Sequence, residues 1–175
     1  MSSLRFHMLA SLGALVAGCA IAASPAALAA SPAAGAHKEA AHDHGAAMPS
    51  KLSLDHGRKW GTDPALRSGM ERIRSIVESQ LGAAHGGKLS STQYAALAGK
   101  IETEVGGIVA DCKLEPKADA MLHLVIGEIG AGTDAMAGKA AKAKPQQGLV
   151  HVAAAVNNYG KYFEHPGFKP IPVGH

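Results

Sequence analysis

Four stretches of this chain place apolar side chains at alternating steps of three and four, and no stretch of useful length alternates every second residue. Steps of three and four line one face of an α-helix, whereas a half-buried strand needs a step of two. The first stretch begins at Asp63-Pro64 and carries Leu66, Met70, Ile73 and Val77. Asp63 suits a cap, Pro64 suits the first helical position, and Gly82 is expected to end the helix in a left-handed conformation. The second stretch has the sharpest local signature. Ser90 and Gln93 are spaced as a capping box, and Leu89 and Tyr94 as a hydrophobic staple. Its stripe runs through Leu97, Ile101, Val105, Ile108 and Cys112. Gly106 and Gly107 interrupt it at about 1 kcal/mol each relative to Ala, which reads as the mark of a close helix crossing. The third stretch begins at Pro116 and is expected to bury Leu122, Val125, Ile126, Ile129 and Met136. A basic connector from Lys139 leads to Pro145, which restarts a fourth helix with Leu149, Val152, Ala153, Val156, Gly160 and Phe163 on its face. His165-Pro166 sets its end, because a residue before proline avoids helical geometry.

Four amphipathic helices with short connections imply an all-α, antiparallel up-down-up-down four-helix bundle over residues 52–175, closing in a short extended tail. The composition agrees. The hydrophobic fraction is 47% with only 4% aromatic residues, so alanine and glycine carry much of the apolar content, which suits close-packed helices better than a sandwich or barrel.

Residues 1–30 read as a signal peptide. Arg5 precedes an apolar run from Leu9 to Ala23, and Ala27-Leu28-Ala29 offers the small residues that a signal peptidase cuts. The run is short for a membrane span, which needs about 20 apolar residues. Leu15-Val16-Ala17-Gly18-Cys19 also resembles a lipobox, so acylation at Cys19 is the lesser alternative to a free periplasmic protein. Loss of Arg5 with the signal takes the formal net charge from +3 to +2, too weak and dispersed for a nucleic-acid footprint. Cys112 is then the one remaining thiol, so no internal disulfide is available. Pairing between two chains stays open, as does the oligomeric state.

Residues 31–51 contain mostly Ala, Gly, Pro, His and Ser. They carry too little apolar surface to offset their ordering entropy and are expected to form a flexible arm ahead of the bundle. This arm holds His37, His42, His44 and Met48, with Asp43 between two of the histidines. Imidazole suits divalent copper, nickel and zinc, and thioether suits Cu(I). The arm is therefore the first candidate metal site, with copper or another divalent transition metal as its ion. His123 and His151 are further candidates. Each falls one position off its core stripe, so a boundary or surface place is the plainer reading, although facing helices could bring the two to one ion. His56 lies in the lead-in Leu52–Trp60, where Trp60 is expected to pack over one end of the bundle. His165 and His175 are expected to be exposed.

Pro64-Ala65-Leu66-Arg67-Ser68-Gly69-Met70-Glu71-Arg72-Ile73, Val125-Ile126-Gly127-Glu128-Ile129 and Asn158-Tyr159-Gly160-Lys161-Tyr162 resemble helices one, three and four of the soluble periplasmic b-type cytochrome with a four-helix bundle, and more distantly the cytochromes c-prime. That resemblance implies a haem-binding, electron-transferring bundle with Met70 as an axial ligand. It departs at Gly160, which stands where the family has its axial histidine. A thioether alone holds haem iron poorly, and Gly160 is expected to leave a gap, so haem is the weaker expectation. The strings LDHGRKW, TDPALRSGM and YFEHPGF resemble an uncharacterised group of small secreted bacterial proteins, which implies compartment and fold and no activity.

Catalytic patterns are thin. Cys112 has no histidine near it in sequence and reads as a buried structural thiol. Glu102, Glu104 and Asp111 fall on the polar side of the second helix. Gly86-Gly87-Lys88 lacks the rest of a phosphate loop. The residues point to a secreted periplasmic binding protein rather than an enzyme, with metal handling as its work and a partner protein in the same compartment. A haem-binding electron carrier and a structural or interaction module without a prosthetic group are the alternatives.

Overall fold

A computed structural model of the chain describes residues 49–173. The signal region and the arm as far as Met48 lie outside the described residues, as does His175. Four helices follow one another: α1 (Pro64–His85), α2 (Ser91–Asp111), α3 (Pro116–Met136) and α4 (Pro145–Tyr162). Among the described residues there is no strand, only isolated bridges, and no helix is long and apolar enough to cross a membrane.

The helix starts follow the local chemistry. Asp63 caps α1 by accepting from the Leu66 N–H at 2.7 Å, with Pro64 in the first turn. The reciprocal cap of α2 is complete. The Gln93 N–H donates to Ser90 Oγ, and the Ser90 N–H donates to Gln93 Oε1 at 2.8 Å. At α4 only half of such a cap exists. Gln147 Oε1 accepts from the Lys144 N–H at 3.4 Å, but the Lys144 side chain has no acceptor to return the bond.

Gly82 does not end α1. The helix runs on to His85, the Gly82 carbonyl accepts from the Gly86 N–H, and the left-handed residue is Gly87, at φ 64°. Leu81 and Ala84 give the extra turn its anchor, because both are buried.

Each helix packs on two neighbours around one core, α1 against α2 and α4, α3 against α2 and α4, with α2 also touching α4. Leu66, Met70, Ile73, Ile101, Ile129, Val152 and Val156 are all fully buried there. The close crossings are not at Gly106 and Gly107, beside which an added Cβ would meet nothing. They are at Gly132 and Gly148. A Cβ on Gly148 would press on the Gly132 carbonyl at 2.5 Å and the Met136 amide nitrogen at 2.8 Å, so α3 and α4 touch backbone to backbone. Gly69 similarly leaves room for the Ile108 side chain, where a Cβ would overlap it. Val105, Cys112 and Ile126 sit at the edge of the core, partly buried.

The lead-in turns tightly at Asp55–Arg58, closed by two backbone hydrogen bonds of 2.8 and 2.9 Å, with His56 at φ 49° and Gly57 at φ 84°. Trp60 then pairs with the end of α4. Its N–H donates to the Tyr162 carbonyl, and the Glu164 N–H donates to the Trp60 carbonyl, both at 2.8 Å. The chain after α4 folds back along that helix. The Asn157 side chain bonds both the N–H and the carbonyl of Ile171, at 2.7 and 2.9 Å, and Ile171 is buried.

Candidate functional site

His37, His42, His44 and Met48 lie outside the described residues. His123 and His151 lie within them and have separate partners. The His151 Nε2 is 2.7 Å from Glu128 Oε2, across from α4 to α3. The His123 Nδ1 donates to the Asp119 carbonyl at 2.9 Å, one turn back on its own helix. Both imidazoles are exposed on the outer surface. Among the described residues no three His, Cys, Asp or Glu side chains group as a metal centre.

Met70 is fully buried among the apolar residues of the core. The expected gap at Gly160 is absent. The Phe168 ring lies on that glycine, close enough that a Cβ there would meet ring carbons at 2.5 Å. A haem plane between Met70 and position 160 would need the Phe168 ring to leave, so the residues as arranged do not fit the axial pair that the resemblance suggests.

The same region holds a polar chain that runs from the buried Tyr159 out to Glu71 and Arg74. Tyr159 is fully buried, and its hydroxyl lies 2.9 Å from His165 Nδ1. The His165 Nε2 lies 3.7 Å from Glu71 Oε1, and Glu71 Oε2 accepts from Arg74 Nε at 2.9 Å. His165 is not the exposed terminal residue that its sequence position suggested, for its side chain is only 7% exposed. Burial pushes the Tyr159 hydroxyl well above the usual phenol range. Burial also pushes His165 down, helped by Arg67 and opposed by Glu71. The sequence signal for Tyr159 was its step of three from Val156 and four to Phe163. Nothing local marked His165, whose partners are brought by two different helices.

Two open clefts meet at Trp60. One, of about 650 Å³, lies between the lead-in and the start of α3 and is lined by Asp55, Thr62, Asp63, Lys113 and Lys117. The other, of about 560 Å³, lies beside Pro49 and is lined by Leu54, His56, Trp60, Ala120 and Met121. Both are within the size range of small-molecule sites. The Asp63 carboxylate is already engaged, accepting from the Lys113 N–H at 2.5 Å as well as from Leu66. His56 is free in a way that the bundle histidines are not. Its side chain is 89% exposed at the tip of the tight turn, with the Asp55 carboxylate at 3.9 Å. Cys112 is half-buried at the end of α2, and burial raises its pKa, so it stays a thiol rather than a nucleophilic thiolate. No family model, curated protein or solved structure matches the chain.

Proposed function

We propose that this chain is an exported metal-binding module, not an enzyme. In this reading residues 1–30 direct it to the periplasm, and a soft transition-metal site, of copper type, is carried by His37, His42, His44 and Met48. The observation that carries the reading is the crowding of imidazole and thioether donors just ahead of the folded domain. Imidazole and thioether together suit copper in both of its oxidation states. His56 supports it, because an imidazole held out on a hydrogen-bonded turn close behind Met48 in the chain is exposed to an ion.

The bundle is the scaffold, with antiparallel up-down-up-down order. Two joints support that order. The cap of α1 bonds the residue after Cys112 at the end of α2, and the lead-in to α1 pairs with the end of α4. Short connections between α2 and α3 and between α3 and α4 complete the circuit. The partner would be a protein of the same compartment that delivers or accepts the ion.

Titration calorimetry with copper tests the reading on the exported protein. Near-stoichiometric binding is expected, and it should be lost when His37, His42 and His44 are changed to Ala. Equal binding by the variant would move the site off the arm. No binding by either protein would reject metal handling and leave an interaction module.

A further inference from the structure

We propose that residues 165–171 form an acid-released strap, latched by the Tyr159–His165 hydrogen bond, which covers the Gly160 face of α4 and uncovers it when His165 takes up a proton. The surroundings favour one arrangement of the hydrogens. The Nε2 of His165 lies 3.7 Å from the Glu71 carboxylate, too long for a hydrogen bond, yet the negative charge on that side favours the proton of the neutral ring there. Nδ1 is then bare and accepts from the Tyr159 hydroxyl at 2.9 Å. Protonation at Nδ1 reverses that bond, so that the ring N–H donates to the phenol oxygen. The phenolic hydrogen is left without a partner on a fully buried residue, and an unpaired buried donor is strongly disfavoured. In the closed form no buried side-chain N or O among the described residues lacks a partner. The protonated ring thus fits the closed form less well than the neutral one, because burial and the orphaned phenolic hydrogen both weigh against it.

The charges around the ring do not remove this mismatch. From α1, Glu71 favours the imidazolium, but it is shared with Arg74 and is 37% exposed, while Arg67 opposes it. From α4 the ring meets only the neutral Tyr159. The lead-in contributes Lys59, whose ammonium donates to the Gly160 carbonyl at 2.7 Å. Burial outweighs Glu71, so the ring resists a proton while the strap is closed.

The segment is built to move as a unit. Its start stays fixed, because Glu164 is held by Trp60. Beyond that, Gly167 turns the chain at φ 80°. Phe168 packs edge-on to Tyr159 at 5.4 Å and covers Gly160, and Ile171 hangs on the two Asn157 bonds. These contacts are to α4, and only His165 reaches α1, at Glu71, so release of the strap uncovers the apolar surface under Phe168 and Ile171 without parting the helix pairs.

Hydrogen exchange on the full chain between pH 7 and pH 4, corrected for intrinsic rates, reads the strap at the Ile171 amide. Its protection should lie below that of the Ile129 amide in α3. It should fall by roughly tenfold per pH unit from about 6.5 down to the folded-state pKa of His165. The His165→Gln variant, which keeps an acceptor and cannot titrate, should give a flat profile. A direct NMR titration of His165 in the unaltered protein should give a midpoint below 6.5, whether or not the variant folds. Ile171 protection equal to that of Ile129, a flat profile in the unaltered protein, the same slope in His165→Gln, or a His165 midpoint at or above 6.5 would each overturn the strap.

Discussion

A single carboxylate can fasten two elements, and Asp63 does so here. One of its oxygens accepts from Leu66 and the other from Lys113. Changing Asp63 to Ala should therefore cost more than an ordinary cap, about 2 kcal/mol by urea unfolding, and changing it to Asn should recover about half. His165 makes the overall stability depend on pH, with a sign set by its lowered pKa. The unfolded ring takes its proton near 6.5 and the folded ring only below that. This group therefore costs nothing above 6.5, and stability falls as pH drops from 6.5 to the folded value. Urea midpoints at pH 7 and pH 5 should differ more for the unaltered protein than for His165→Gln.

The helices themselves were legible because their signals are local. Asp63-Pro64, the Ser90–Gln93 box and the prolines at 116 and 145 each start a helix where the sequence placed it. What local reading missed was set by neighbours in space. Gly82 looked like a stop, yet Leu81 and Ala84 bury and carry α1 onward. Gly106 and Gly107 looked like a crossing and face open space, while Gly132 and Gly148, unremarkable in sequence, make the contact. Opposite outcomes follow for the same substitution. Gly106→Ala and Gly107→Ala should each stabilise by about 0.5–1 kcal/mol, since only the conformational entropy of the unfolded chain is reduced. Gly148→Ala drives a methyl group into the α3 backbone and should destabilise by at least about 1–3 kcal/mol. Thermal melts of the three variants distinguish these signs.

At the scale of the molecule, the described residues share one continuous core. Leu66 through Ile171 belong to that cluster, and the metal ligands of the proposed site lie ahead of them in the chain. Deleting residues 31–48 should therefore change the metal-free unfolding free energy by less than about 0.5 kcal/mol, while abolishing the copper-dependent rise in melting temperature. That candidate site was legible only as a composition of donor atoms. The Tyr159–His165–Glu71 chain was not legible at all, because it needs α1, α4 and the returning tail to meet.

The pairing of Trp60 with Tyr162 and Glu164 gives this fold a direction in time. A chain synthesised from its N-terminus presents Trp60 early, but the carbonyl and N–H that it needs arrive about a hundred residues later. Ile171, buried against the end of the core, arrives later still. The seam that closes this bundle is thus withheld until residues 162–171 have been made, so the four helices can form one by one before anything fastens the first to the last.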